Sequence, residues 1–278
     1  MSLKDILVHV GISRHRGQSL DVAIRLAQTF DSHLSALFTT ANVYIPSYVD
    51  GQLTTEIIAA QREDLAEQRR KVRRDFEERA RKHGVTAEWR EAEGEASATA
   101  ALHARHADLT VIGQLDPDES LPSPELALPE RVLLESGRPI LMVPYAGEFA
   151  AIGQRVLVAW NASTQAARAV NDALPLLKRA KSVTILSVNP RHGDKGHGEI
   201  PGADIALHLA RHGVKAEATH IHADDIAIGD MILSRAADCG ADLIVMGAYG
   251  HARLREIVLG GATRNLLEHM TAPVLMSH

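Results

Sequence analysis

Four glycines near the carboxyl-terminal end of the chain could bring the backbone close to a ligand. Gly247 and Gly250 follow an apolar run, and Gly260 and Gly261 precede a stretch of helical spacing at residues 264–270. Glycine lets the backbone approach phosphate oxygens closely, and the start of a helix offers unpaired N–H groups and a favourable dipole. The order of strand, glycines and helix predicts a site for a phosphate-bearing ligand, with plain turn geometry as the alternative use of the first two glycines.

These glycines belong to the second copy of an internal repeat. The segment Ala-Asp-Leu-Thr-Val-Ile-Gly at 107–113 recurs as Ala-Asp-Leu-Ile-Val-Met-Gly at 241–247, and the interval from its last glycine to the next Arg-Pro or Ala-Pro pair is equally long in both copies. Such a repeat indicates one ancestral unit in tandem. We predict two domains, at residues 1–146 and 154–278, with a seam near residues 144–154 where proline and glycine interrupt the periodicity.

Each half contains five short apolar runs of strand length, separated by segments with helical spacing. Runs rich in Val, Ile and Leu are typical of strands buried on both faces of a parallel sheet. The pattern predicts an α/β fold of two tandem doubly wound domains, each a five-stranded parallel sheet of strand order 3-2-1-4-5 flanked by helices. The charged segment 54–82 is predicted as one long helix with a solvated face, and its apolar stripe comprises Ile58, Leu65, Val72 and Phe76. In the second half, strands are predicted at about 155–160, 183–188, 214–221, 242–247 and 273–277, and helices at 166–178 and 226–237.

The strand order predicts where a ligand would bind. In a doubly wound sheet, ligands bind beyond the carboxyl ends of the strands where the order reverses, here between the first and fourth strands of a half. Asn161 follows the first strand of the second half and either contacts a ligand or caps the next helix. His251 is either a phosphate contact or an exposed loop histidine without a role. The residues predicted around this point, besides the four glycines, are Ala159, Trp160, Asn161, Met246, His251, Ala262 and Thr263.

At these residues the chain resembles the universal stress protein family, in the tandem form with two such domains in one polypeptide, over essentially its whole length. Nucleotide-binding members of that family carry Gly-x2-Gly-x9-Gly-(Ser/Thr) after the fourth strand. Gly247, Gly250 and Gly260 match this spacing, whereas Gly261 stands in the place of Ser or Thr. Asn161 stands where the family tends to have Asp, and its amide can still form hydrogen bonds to hydroxyls or base edges.

The resemblance implies a ligand and a role. The second domain is expected to bind ATP or another adenine nucleotide, with Val188 at the end of the second strand offering backbone contacts to the adenine. The sequence does not specify whether Mg²⁺ accompanies the nucleotide. The leading hypothesis is a stress-response protein that acts through its conformation or through an unknown protein partner. The alternative is a nucleotide-independent interaction module whose glycine loop is vestigial.

The first half lacks the glycines of the second. A shift of 134 residues places Asp116 at the position of Gly250 and Leu126 at that of the third glycine. Asp116, Asp118 and Glu119 are then expected to place uncompensated carboxylates where phosphate would lie, and each close pair of like charges costs about 1 kcal/mol or more. We predict a retained scaffold with a degenerate nucleotide site, and one nucleotide per chain.

Charge and composition exclude several functions. Thirty Lys and Arg against thirty-five Asp and Glu give a formal net charge of -5, without the basic block that nucleic-acid binding requires. No apolar run approaches the roughly 18 to 20 residues that span a bilayer. The start of the chain is charged where a signal peptide would be apolar, and the single cysteine excludes an internal disulfide. We expect a cytoplasmic protein that binds neither nucleic acid nor membrane.

No catalytic constellation is recognisable. Gly-x-Ser-x-Gly and Gly-x4-Gly-Lys-(Ser/Thr) are absent, so nothing indicates a hydrolase or a P-loop ATPase. His220 and His222 share one face of a predicted strand without a clearly spaced third ligand, so no metal site is predicted. We predict no catalytic residues, and any nucleotide hydrolysis would be slow and secondary to binding.

The final strand of each half predicts how the halves assemble. Ile140 to Val143 and Val274 to Met276 are apolar runs, and the fifth strand lies at a sheet edge in the order 3-2-1-4-5. An exposed apolar edge must be paired or covered. We predict that the two edges pair with each other as an intramolecular pseudo-dimer, which leaves a further homodimer through another surface open.

Overall fold

The computed structural model describes residues 2–40, 51–119, 128–190, 200–223, 225–248 and 261–278, and strands alternate with helices through these ranges. The first half contains β1 (Asp5–His9), α1 (Arg16–Phe30), β2 (His33–Thr40), α2 (Gly51–Lys82), β3 (Ala87–Glu93), α3 (Ala96–Ala104), β4 (Leu109–Gly113), α4 (Leu128–Glu135) and β5 (Ile140–Val143). The second half contains β6 (Arg155–Ala159), α5 (Thr164–Leu177), β7 (Ser182–Val188), α6 (Ala203–Arg211), β8 (Ala216–Ile221), α7 (Ile228–Asp238), β9 (Leu243–Gly247), α8 (Gly261–His269) and β10 (Val274–Ser277).

The ten strands of the described residues form one sheet, in the order β3-β2-β1-β4-β5-β10-β9-β6-β7-β8. Each half therefore has the order 3-2-1-4-5, with parallel pairs inside the half. The halves meet at their last strands, where Leu275 stands opposite Leu141 in an antiparallel pair. This pairing satisfies the edge N–H and C=O groups of both strands. The predicted fold class and the predicted pairing of the two final strands are confirmed.

Apolar side chains cover both faces of the sheet. Along β1, Ile6 and Val8 join the core that α1 and α5 cover, whereas Leu7 joins the core on the opposite face. All three side chains are at most 1% exposed, and each contributes about 1.5 to 3 kcal/mol by its burial. Because both faces of the inner strands are buried, these strands show continuous apolar runs. The edge strands β3 and β8 have no such run, and their side chains are exposed or half-buried.

The predicted charged helix is present as α2. Val72 and Phe76 on its apolar stripe are 2% and 1% exposed, while Arg73 and Glu77 on its outer face form an ion pair of 2.7 Å between Nε and Oε1. The predicted stripe also includes Ile58, whose side chain lies outside the described residues. Within the ranges given above, no helix combines the length and the apolar character that crossing a membrane requires.

The third strand of the second half begins later than the apolar pattern predicted. The prediction placed its start at residue 214, and β8 begins at Ala216. The Val214 amide instead donates to the Leu209 carbonyl at 3.0 Å, which closes the end of α6. Val214 is apolar because it is buried under the helix end, and its burial mimics a strand position in the sequence.

Candidate functional site

The first and fourth strands of the second half end side by side. In the parallel pair of β6 and β9, Ala159 stands opposite Met246, the residue before Gly247. Val188 ends the neighbouring strand β7, in register with Ile221 of β8. The structure therefore brings Ala159, Met246 and Gly247 together at the carboxyl edge, with Val188 on the adjacent strand.

The loop from β6 to α5 contains two of the predicted contacts. Trp160 is half-buried against the apolar core, and its amide donates to the Leu186 carbonyl at 2.8 Å. Asn161 Oδ1 accepts a hydrogen bond of 3.1 Å from the Ser163 amide, and Ser163 Oγ accepts one of 3.1 Å from the Ala166 amide. Ser163 is therefore the helix cap, and Asn161 closes a turn before it.

Gly247 has a packing reason to be glycine. A β-carbon at this position would lie 2.3 Å from the backbone nitrogen of Ala166 and 2.5 Å from the carbonyl carbon of Gln165. The first turn of α5 thus packs directly on the end of β9, and only a residue without a side chain fits between them. The sequence predicted a turn or a phosphate contact here and missed this helix-to-strand contact.

The glycine segment continues into α8. Gly250, His251 and Gly260 lie outside the described residues. Gly261 is exposed as the first residue of α8, and no atom of a described residue lies within 4 Å of where its β-carbon would be. Ala262 follows in the helix, and Thr263 is only 4% exposed. The helix begins at Gly261, three residues before the predicted start at residue 264, so Gly261 is its first residue.

In the first half, the acidic turn after β4 is bound by the loop that precedes α1. Asp116 contacts the guanidinium group of Arg14 and lies 3.0 Å from Nε2 of His15. Glu119 accepts hydrogen bonds from Ser13 Oγ at 2.7 Å and from the Arg14 amide at 2.9 Å. The hydrogen bond from Arg14, with a smaller effect of the Asp118 amide, holds the pKa of Asp116 below its usual range.

These contacts correct one sequence-based expectation. The carboxylates of Asp116 and Glu119 were predicted to be uncompensated, and that prediction is wrong. The loop between β1 and α1 faces this acidic turn and supplies the compensating groups. When β1 is aligned with β6, Arg14 and His15 stand in the places of Thr164 and Gln165. The compensating groups lie about a hundred residues away in sequence, so local spacing could not show them.

The same end of the first half contains a cleft between β1, β4 and the start of α1. Its walls include His9, Arg16, Ser19 and Gly113. His9 is 9% exposed, its Nε2 lies 3.0 Å from Thr39 Oγ1, and burial lowers its pKa to about 4. The Nε atom of Arg16 is shielded from solvent and has no hydrogen-bond partner. Sequence reasoning missed this cleft, although His9 and Arg16 stand where the second half has two alanines.

One residue of this cleft connects the two halves. Gln114 lines the cleft, and its amide nitrogen donates to the carbonyls of Leu267 and Glu268 at 2.7 and 3.2 Å. Its amide oxygen accepts from the Tyr145 amide at 3.2 Å. The last turn of α8 is thereby fastened to the end of β4, although the two segments belong to different halves.

The two histidines that share one face of the predicted strand lie close together on and just after β8. The His220 and His222 rings lie 5.9 Å apart between centroids. No group of three His, Cys, Asp or Glu side chains that could hold a metal ion occurs in the part of the chain that the structure describes.

Fold and site together define an α/β protein of two doubly wound halves with a crevice where the strand order reverses. A model of the universal stress protein family matches residues 153–278. A universal stress protein of Methanocaldococcus jannaschii is 39% identical over 56 residues, which is 19% of this chain and 35% of that protein. The chain thus matches about a third of the length of this curated relative.

Solved structures extend the likeness to both halves. A universal stress protein from Archaeoglobus fulgidus has a TM-score of 0.73 at 16% identity, with 98% of this chain and 97% of that chain covered. A putative universal stress protein from Pseudomonas aeruginosa has a TM-score of 0.59 at 17% identity, with 99% and 93% covered. Residues 153–278 thus match the model of the universal stress protein family, and the whole chain has the fold of these solved structures.

Proposed function

We propose that the protein is a tandem universal stress protein whose second domain, residues 154–278, binds ATP or another adenine nucleotide. The site is the crevice beyond the ends of β6 and β9, and the first domain, residues 1–146, is a scaffold without a phosphate loop. The observation that carries the proposal is the start of α8 at Gly261, at the far end of the glycine segment that leaves β9. A phosphate group on that helix start would accept from N–H groups that have no partner inside the helix.

The surroundings of Gly261 favour an anionic ligand over a plain turn. Among the described residues, no atom lies within 4 Å of where its β-carbon would be, so none of them crowds the start of the helix. A glycine that serves only to relieve crowding would have close neighbours, as Gly247 has. We therefore assign Gly247 to packing and Gly260 with Gly261 to the phosphates.

A conformational change on nucleotide binding in this crevice could be transmitted to the other domain through a hydrogen-bonded contact. The last turn of α8 is hydrogen-bonded to Gln114 of the first half. A shift of α8 on binding would therefore displace or break these hydrogen bonds at the end of β4. This arrangement supports a protein that acts through its conformation, with a protein partner that reads the change.

The test is an ATP titration of wild type and two variants at Gly261. Gly261→Asp places a carboxylate at the start of α8, where it favours the helix dipole but repels phosphate. We expect wild type to bind one ATP per chain, Gly261→Asp to lose at least about tenfold in affinity with an unchanged or raised melting temperature, and Gly261→Ala to keep most of the affinity.

Calorimetry distinguishes the alternatives. Equal affinity of wild type and Gly261→Asp would remove α8 from the site. Two equivalent ATP molecules per chain, both retained when Arg25 and Arg179 between the halves are changed to alanine, would show that the first half is not degenerate. Wild type without bound ATP, and without nucleotide in native mass spectra of protein purified from cells, would favour the nucleotide-independent interaction module.

A further inference from the structure

A groove runs between the two halves on the face of the sheet that α1 and α5 cover. We name it the inter-half groove; its volume is about 570 Å³, within the range of about 300 to 1,000 Å³ typical of small-molecule sites. The end of α1, the end of α5 and the connection between the halves line it. The lining residues used below are Arg25, Leu26, Phe30, Ile152, Leu176 and Arg179.

The groove has two cationic groups and no acidic lining residue. Arg25 donates from Nη1 to the Ala150 carbonyl at 3.3 Å, and the Arg179 guanidinium lies 5.5 Å from the centroid of the Phe30 ring. Neither arginine forms an ion pair with any described residue. Both retain guanidinium N–H groups for an anion.

The adjoining grooves differ in charge. On the other side of Arg25, the lining includes Asp21 and Glu148, and Arg79 there is paired with Asp21 at 2.7 Å. Arg179 follows the end of α5, where a cation also complements the helix dipole. That role accounts for one arginine beside a helix end, but it does not account for a second arginine and the lack of carboxylates in the inter-half groove.

The floor of the inter-half groove is apolar and fixed in place. Leu26 and Leu176 are buried, and Phe30 and Ile152 pack against the core. Gly153 has a φ of +77°, and a β-carbon there would lie 3.6 Å from Leu176. A left-handed backbone conformation thus brings the connecting segment onto α5.

Hydrogen bonds hold the connecting segment in this position. The Gln154 carbonyl accepts from the amides of Lys181 and Ser182 at 2.8 and 3.2 Å. The Gln154 amide donates to the carboxylate of Asp242 at 3.1 Å, and this carboxylate also accepts from the Arg155 amide. The half-buried carboxylate of Asp242 is therefore engaged with two backbone amides at the start of β6.

We propose that the inter-half groove binds a small organic anion with an aromatic body. The guanidinium groups of Arg25 and Arg179 hold its phosphate or carboxylate group, and its ring lies against Phe30 and Ile152. The proposal does not depend on nucleotide binding in the second domain, because the groove lies between the helix ends of α1 and α5 and shares no residue with the crevice at β6 and β9.

The probe for this site is phenyl phosphate, titrated into the full-length protein and followed by amide chemical shifts. We expect a dissociation constant on the order of 1 mM or tighter, shifts in residues 25–30 and 150–154, and weaker binding at higher salt. Arg25→Ala and Arg179→Ala should each weaken binding about tenfold. Inorganic phosphate, which lacks the ring, should bind several-fold more weakly than phenyl phosphate.

Two controls make the test decisive. Arg211→Ala removes the same charge from an exposed helix end elsewhere and should leave binding unchanged. Gly261→Asp should also leave it unchanged, which separates this groove from the nucleotide site. The proposal is overturned by undetectable binding to wild type, by equal loss in the Arg211→Ala control, or by binding that Gly261→Asp removes and the Arg25 and Arg179 variants do not.

Discussion

The crevices of the two halves lie at the same point of the same strand order. They differ in how closely the first helix packs on the fourth strand, α1 on β4 in the first half and α5 on β9 in the second. In the second half, the first turn of α5 lies directly on Gly247, at a distance that excludes a β-carbon. In the first half, a β-carbon on Gly113 would lie 3.5 Å from Ser19 Oγ, and a cleft lined by His9 and Arg16 opens between helix and strands.

The starts of the two helices are also fixed by different means. Ser163 caps α5 from within its own turn, whereas α1 has no side-chain cap and its preceding loop is held by Glu119 from beyond β4. The difference teaches that one scaffold can keep its sheet while the groups around its crevice are exchanged. In the first half, the acidic turn after β4 binds the loop that precedes α1. This turn occupies the sequence position that the glycine segment occupies in the second half.

The largest effect is expected from adding a methyl group to the packing glycine. Gly247→Ala brings a β-carbon into the backbone of α5, and we expect a loss of about 3 kcal/mol in the free energy of unfolding. Gly113→Ala is the matched control and should cost no more than about 1 kcal/mol. Urea unfolding measures both. Equal costs in the two halves would show that the two helices approach their strands alike.

A comparable effect is expected from acid through His9. Burial holds the folded pKa of His9 at about 4, below the 6.5 of an ordinary histidine, so the unfolded chain binds a proton over this interval and the folded protein does not. Stability is full above pH 6.5 and should fall by about 3 kcal/mol as the pH drops to 4. His9→Gln should remove this part of the pH dependence.

The second half has Ala159 at the position of His9 and provides the internal comparison. Urea unfolding of wild type and His9→Gln at pH 7 and pH 4 measures how much the free energy of unfolding of each protein falls between the two pH values. Parallel loss of stability in both proteins would show that burial does not lower the folded pKa of His9.

The smallest effect is expected from the two ways of fixing a helix start. Glu119→Gln weakens the hydrogen bonds to Ser13 and Arg14 and should cost about 1 kcal/mol. Ser163→Ala removes the cap of α5 and should also cost about 1 kcal/mol. Amide hydrogen exchange should report faster exchange at the start of α1 for the first variant and at the start of α5 for the second. An effect of Glu119→Gln confined to its own turn would break the comparison.

The sequence by itself determined the repeat, the α/β class and the strand order of each half. Apolar runs and helical spacing are local signals, and the chain carries them twice, once in each half. The strands of the second half were therefore placed to within about two residues. The pairing of β5 with β10 was also predictable, because an apolar edge strand must be paired or covered.

The tertiary structure decided what surrounds each crevice. The contact of Gly247 with Ala166, the ion pair of Asp116 with Arg14 and the link from Gln114 to α8 join residues that are about 80 to 150 positions apart. A sequence pattern gives residue types and spacing along the chain, but the distance between two loops depends on how each helix packs on the sheet. Only the folded chain shows that one acidic turn is neutralised and that one glycine is a packing requirement.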